Sequence, residues 1–348
     1  MTDKFEQKDE DQDQELYEHY RFEADKGQGL LRIDKFLMAR MENVSRNKIQ
    51  QAAEAGYIVV NGESVKSSYK VKPNDSVSVM MAQPVREIKL IAEDIPLNIL
   101  YEDDDVIIID KSPGMVVHPA YGNYTGTLVN ALMYHFQNTG NADLFENGPY
   151  LVHRIDKDTS GVMMVAKNEI AQMKIGNQFF KHTLDRKYHA LVWGDVKEDS
   201  GTIEGRIGRS AKNRKVFTVL SDEEEYGKHA ITHYKVIERF GYVTLVECEL
   251  ETGRTHQIRV HLKHLGHTLF NDANYGGDQV LKGTTFSKYK QFVENCFKIC
   301  PRQALHAKSL GFIHPTTNEK MLFTSDLPSD MQELIEKWSN YSKHKILD

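Results

Sequence analysis

The apolar positions change period along the chain, and each change predicts an element. From Leu31 they fall at Ile33, Phe36, Leu37 and Met41, which is helical spacing. Ser45 can cap a second helix over 46–55, with Gly56 as its stop. Tyr57-Ile58-Val59-Val60, the turn Asn61-Gly62 and Ser76-Val77-Ser78-Val79 then read as short strands around hairpin chemistry. Residues 82–98, with Pro84 and Pro96, read as a linker. From Ile99 onward, β-rich runs at 106–109, 188–193 and 242–247 alternate with helical stretches near 128–136 and 170–181. Gly161 punctuates the chain before Val162-Met163-Met164-Val165-Ala166, a short buried strand. Strands outnumber the helices and separate them irregularly. The pattern predicts an α+β protein with a mixed, mostly antiparallel sheet rather than a doubly wound one.

Length and charge refine this picture. The 348 residues suffice for two domains, and no apolar run approaches the roughly 20 residues that span a bilayer. The acidic N-terminus is unlike a signal peptide, so a cytoplasmic protein without membrane contact is expected. The net charge of −6 belongs to residues 1–29, which hold ten acidic and four basic residues. That stretch reads as a disordered acidic tail, and the neutral remainder has room for local basic faces. Cys248, Cys296 and Cys300 are too scattered for a disulfide framework and read as buried thiols rather than a zinc site.

The candidate chemistry centres on His153-Arg154-Ile155-Asp156-Lys157-Asp158-Thr159-Ser160-Gly161, where a carboxylate stands between a cation and a polar turn. Taken alone, this reads as a capping turn in which Asp156, Thr159 and Ser160 bond nearby amides. Three further motifs accompany it: Lys111-Ser112-Pro113-Gly114-Met115-Val116-Val117-His118-Pro119, Arg186-Lys187-Tyr188-His189-Ala190-Leu191-Val192, and Glu251-Thr252-Gly253-Arg254-Thr255-His256-Gln257-Ile258-Arg259-Val260-His261-Leu262. With these in the expected order, residues 30–335 resemble the pseudouridine synthases of the RluA/RluD type, which isomerise uridine in structured RNA. The preceding helix–helix–strand unit resembles the S4 RNA-binding domain in Arg32-Ile33-Asp34, Ser45-Arg46 and Val60-Asn61-Gly62. It departs at Asn74-Asp75, where Gly-Asp is usual, and Asn also tolerates a left-handed turn.

The resemblance implies four segments: the tail to 29, an S4 domain over 30–81, the linker over 82–98, and a catalytic domain over 99–338. It also implies a bent mixed sheet with a central cleft. Converting uridine to pseudouridine breaks a C–N glycosidic bond, turns the base and forms a C–C bond at the same sugar carbon. This chemistry needs a carboxylate, a surface for the detached base and exclusion of water, but no redox step, metal or other cofactor. Asp156 is the candidate carboxylate, acting either as a nucleophile at C1′ or as a base at C2′. The resemblance assigns Arg259 as its guanidinium partner, Tyr188 as the residue against the base, and Arg154 as an arginine that enters the RNA when the uridine flips out. Arg154 also reads as a simple phosphate contact. Lys111, Gly114 and Ile258 are implied supports, while His153, His256 and His261 read as structural hydrogen-bonding groups.

Candidate phosphate contacts are Arg32, Lys35, Arg40, Arg46 and Lys48 on the two first helices. A loop carrying Arg206, Arg209, Lys212, Arg214 and Lys215 supplies more. The expected protein is a monomer acting on structured RNA, with 23S ribosomal RNA as the expected target. The rival readings are an assembly factor that binds RNA without chemistry and an aspartate-dependent glycoside hydrolase. Hydrolases of that class normally pair two carboxylates, for which Asp158 is the nominee, although it reads better as a cap on the turn.

Overall fold

The structure is a computed structural model and describes residues 17–41, 44–81, 90–120, 122–140, 148–213, 216–221 and 226–345. The chain divides between residues 88 and 89 into two compact units. The first contains β1 (Tyr17–Glu23), β2 (Leu31–Arg32), α1 (Ile33–Met38), α2 (Arg46–Glu54), β3 (Ile58–Val60), β4 (Glu63–Ser64), β5 (Lys70–Val71) and β6 (Ser76–Met81). Ser45 caps α2 by accepting from the Lys48 amide, and Gly56 follows the helix at φ +77°. Asn61 and Gly62 both take positive φ, as a tight hairpin turn requires, and Asn74 adopts the left-handed conformation at φ +63°. Ile33, Phe36, Leu37, Ile49, Val77 and other apolar residues form the core of this unit.

The expected disordered tail needs correction over its described part, because β1 pairs antiparallel with β6 in a sheet ordered β1-β6-β3-β4. Its acidic residues conceal an aromatic pattern. Phe22 packs on the core, while Glu18 and Glu23 accept hydrogen bonds from Ser78 and Ser76. The expectation for 1–16 lies outside the described residues.

The second unit contains β7 (Ile99–Glu102), β8 (Val106–Lys111), α3 (Leu128–Asn138), β9 (Tyr150–Leu151), β10 (Ser160–Ala166), α4 (Glu169–Phe180) and β11 (Asp185–Trp193). It continues with β12 (Ser200–Arg209), β13 (Phe217–Val219), β14 (Lys228–Arg239), β15 (Val243–Leu250) and α5 (Gln257–His264). Last come α6 (Ser287–Ile299), β16 (Leu305–Ile313), β17 (Lys320–Thr324) and α7 (Ser329–Lys345). The expected domain end at 338 falls inside α7, so the unit extends further. The described half of the expected linker is strapped to this unit. Asn130 Nδ2 donates to Ile91 O at 2.7 Å, and the Glu93 amide donates to Asn130 O at 3.0 Å.

The large sheet runs β13-β12-β14-β15-β11-β16-β10-β8-β7, with β17 on β16 and β9 on β10. Among the described pairings only β10–β16 is parallel, so the sheet is mixed and mostly antiparallel. The central strand β11 is buried on both faces: Ala190 and Val192 enter one core cluster, Leu191 and Trp193 the other. Gly161 is required by the close approach of β10 to β16, since a Cβ there would stand 2.2 Å from Ala307 O. No helix among the described residues is long and apolar enough to cross a membrane.

Candidate active site

Asp156 lies in the segment entering β10, on a turn that its backbone closes through the Thr159 amide donating to Asp156 O at 3.1 Å. The side chains of the turn therefore look elsewhere, and the capping-turn alternative does not describe it. Asp156 Oδ2 accepts from Arg259 Nη1 at 2.8 Å, and Ser160 Oγ lies 3.0 Å from His306 Nδ1. Thr159 Oγ1 is buried without a partner, and the Asp158 carboxylate caps no amide among the described residues.

Two buried cations hold consecutive carbonyls of this loop from behind. Lys111 Nζ donates to Lys157 O at 2.9 Å and to Ser112 O and Met115 O at 2.8 and 3.0 Å. Gly114, at φ +82°, makes the turn that brings Met115 O back to this lysine. Burial, offset in part by Asp158, draws the Lys111 ammonium down to about 7. Arg302 Nη1 donates to Asp158 O at 2.8 Å, while its Nε and Nη2 grip Asp330 on α7 at 2.7 and 3.0 Å.

Arg259 stands in the first turn of α5, its side chain 3% exposed. Nε and Nη2 form a fork on Asp272 at 2.7 and 2.8 Å, leaving Nη1 for Asp156. Burial opposes its charge, but the hydrogen bonds and charge of Asp272, joined by Asp156, outweigh this and raise its pKa further. The Tyr275 ring lies 5.0 Å from the guanidinium carbon. Tyr275 OH is 2.9 Å from Nδ1 of His256, which precedes α5 at the strained φ of +57°.

Ile155, Tyr188 and Ile258 belong to one core cluster, which anchors the loop, β11 and α5 from beneath. Above it, Arg154, Asp156, Arg186, Tyr188, His256 and Arg259 are among the residues lining a cavity of about 500 Å³. Arg154 and Asp156 both line this cleft, together with the adjoining His153 and Ile155. Tyr188 is buried and its phenol pKa is raised, first by burial, with Arg186 pulling it partly back. His153 accepts from the Met164 amide at 3.0 Å, and His261 Nδ1 meets Thr232 Oγ1 at 2.9 Å. The three cysteines are free and buried.

Two groups of candidate phosphate contacts sit in settings that the sequence did not suggest. Arg32 and Arg46 do not project freely. Both bind Asp34, which is fully buried and also accepts from Gln50 and the Lys35 amide. These donors outweigh the burial penalty and hold the Asp34 carboxyl far below the usual range. Lys35, Arg40 and Lys48 are exposed. The expected basic loop begins as a strand: Arg206 and Arg209 lie on β12, which pairs with β13, and the Arg209 guanidinium sits 4.5 Å from the Phe217 ring. Lys212 is exposed beyond it, while Arg214 and Lys215 lie outside the described residues. Arg209, Lys228 and Arg254 line a second hollow of about 880 Å³, which shares Gly253, Arg254 and Thr255 with the first.

Sequence reasoning missed Asp272, Tyr275, Arg186 and Arg302. Asp272 sits in Asn271-Asp272-Ala273-Asn274-Tyr275-Gly276-Gly277, which reads as an ordinary polar turn. Arg186 was in view as part of the Tyr188 motif, and its position two residues away on the same strand face was a usable signal.

A family model described as RNA pseudouridylate synthase matches residues 105–264, and the S4 domain model matches 31–77. An "uncharacterized RNA pseudouridine synthase" of Chlorobaculum parvum is 48% identical over 316 residues, spanning 90% of this chain and 96% of its own. The ribosomal large subunit pseudouridine synthase D of Zymomonas mobilis is 38% identical over 312 residues, 88% of this chain and 93% of its own. The solved structure of human RNA pseudouridylate synthase domain containing 4 shares the fold at a TM-score of 0.54 and 21% identity, covering 70% of this chain and 93% of its own. The two family matches together define an RNA-modifying enzyme with an S4 RNA-binding domain. The chain belongs to the RNA pseudouridine synthase family, whose members isomerise uridine to pseudouridine, and it is similar to the large-subunit synthase D relatives over most of its length.

Proposed function

We propose that the enzyme modifies 23S ribosomal RNA and that Asp156 performs the chemistry, as nucleophile at C1′ or base at C2′. The observation that carries this reading is the 2.8 Å contact between Arg259 Nη1 and Asp156 Oδ2 at the cleft wall. A guanidinium already locked on Asp272 holds the carboxylate in one direction, leaving its other oxygen for the sugar. Tyr188 lies against the uracil, and Arg154, exposed at the rim, enters the RNA as the uridine leaves its stack. Lys111, Gly114 and Ile258 hold the loop and α5 in register.

Lys35, Lys48, Arg206, Arg209 and Lys212 contact phosphates. Arg32 and Arg46 join them through edges that Asp34 leaves open, since their side chains are 39% and 45% exposed. The similarity to synthase D relatives supports the ribosomal target. The protein acts as a cytoplasmic monomer and needs no cofactor, because neither carboxylate route, attack at C1′ or proton removal at C2′, includes a redox step or an external group to transfer. Purified protein with a 23S transcript and EDTA should form pseudouridine, whereas Asp156→Asn should retain most RNA binding and form none. Product from that variant would remove Asp156 from this role.

A further inference from the structure

Arg186 is a buried cation, 6% exposed, that pairs with no carboxylate among the described residues. The two other buried arginines near the catalytic loop, Arg259 and Arg302, each grip an aspartate. Arg186 Nη2 donates only to Leu250 O and Glu251 O, at 3.3 and 3.2 Å, and Nε is buried without a partner. Nη1 lies beside Gly253, where a Cβ would stand 3.0 Å from it, and both residues line the cleft. The glycine therefore leaves this edge of the guanidinium open. The Phe179 ring, 5.3 Å away, lies against the guanidinium. Burial with no counter-ion lowers the arginine's pKa, so the site is built at a cost and is suited to an anion.

The reaction supplies such an anion where Arg186 stands, two residues from Tyr188 on the same face of β11. If Asp156 is a nucleophile, a carboxylate lone pair forms the C1′–O bond and the C1′–N1 pair departs with the base. If it is a base, it takes the C2′ proton, the C2′–H pair becomes the C1′–C2′ π bond, and the C1′–N1 pair again departs with the base. Both routes move one negative charge from Asp156 to the uracil. Re-attachment through C5 returns that charge to Asp156, and the C5 proton ends on N1. We propose that Arg186 is a catalytic residue that holds the detached uracil anion, donating from Nη1 to a carbonyl oxygen of the base. This rests on the assignment of Asp156 above.

The test measures single-turnover rate at saturating RNA and, separately, RNA affinity across salt concentrations. Arg186→Gln should lower the saturated rate by about 100-fold or more, as loss of one donor to a developing anion does, while affinity changes by less than about twofold. Arg186→Lys should recover about tenfold, since it keeps the charge without the fork. Gly253→Ala keeps Arg186 but obstructs Nη1, and should also slow the saturated rate; it decides the matter if Arg186→Gln does not fold. A phosphate contact would instead weaken affinity, reduce the salt slope by about one and spare the saturated rate, which would overturn the proposal. Unchanged rates in Arg186→Gln or Gly253→Ala would do so too. Absence of product from the wild type would instead count against the assignment of function.

Discussion

Asp272→Asn separates what the buried ion pair does for the fold from what it does for the site. Asp272, 1% exposed, accepts from both Nε and Nη2 of Arg259. The amide matches the carboxylate in size but turns an NH₂ group toward a guanidinium donor and leaves Arg259 without its buried counter-charge. Breaking such a pair costs about 3–5 kcal/mol. For a unit of this size, about 2–4 °C per kcal/mol, the unfolding midpoint should fall by roughly 6–20 °C. The Arg259 fork then loses its fixed direction, so the saturated turnover rate should fall with little change in RNA affinity. The paired replacement of Asp272→Leu with Arg259→Met removes both charges. It should regain much of the midpoint, because no unpaired charge stays buried, yet remain inactive because Asp156 has lost its partner. Differential scanning calorimetry and single-turnover pseudouridine formation read these two effects apart. An unchanged midpoint in Asp272→Asn, or activity in the paired variant, would refute the reasoning.

Gly161→Ala should destabilise the protein by more than about 4 kcal/mol or abolish soluble expression, because the new Cβ meets backbone rather than a movable side chain; a midpoint within a few degrees of wild type would contradict the close β10–β16 approach. His306 is buried between Ser160 Oγ and Ser325 O, and burial pulls its pKa from 6.5 to about 4. Below about pH 6.5 the unfolded chain binds a proton that the folded chain refuses until about pH 4, so stability should fall as pH drops through that window, by about 1.4 kcal/mol per unit. Denaturant titrations of His306→Asn should show a correspondingly flatter acid limb, and an identical slope would remove His306 as its source. Arg209→Ala should reduce the slope of log affinity against log salt by about one, read by filter binding, and an unaltered slope would take this strand out of the RNA contact surface.

Features whose cause is local were legible in the sequence. Ser45 caps α2 through its own next turn, Asn61-Gly62 carries the conformation that its hairpin demands, and Asn74 takes the left-handed turn that its side chain tolerates. The Asp156 loop and Arg259 were legible through long motifs, although nothing in either segment alone reveals the 2.8 Å contact across 103 residues. What was hidden depends on distant partners or on one property masking another. The acid count of the N-terminal stretch concealed Phe22 and the strand it anchors. Arg32 and Arg46 looked like free cations because the buried Asp34 between them reads as one more surface acid. Arg302, in Pro301-Arg302-Gln303, shows no sign of reaching back to Asp158 O, and only the β10–β16 pairing brings the two together.

The most direct test of the Asp156 assignment is site-resolved pseudouridine mapping of ribosomal RNA from cells lacking this protein, complemented with wild type or with Asp156→Asn. The account predicts 23S uridines that lose modification in the deletion and regain it only with wild type. Restoration by Asp156→Asn, or a 23S map that does not change on deletion, would contradict it.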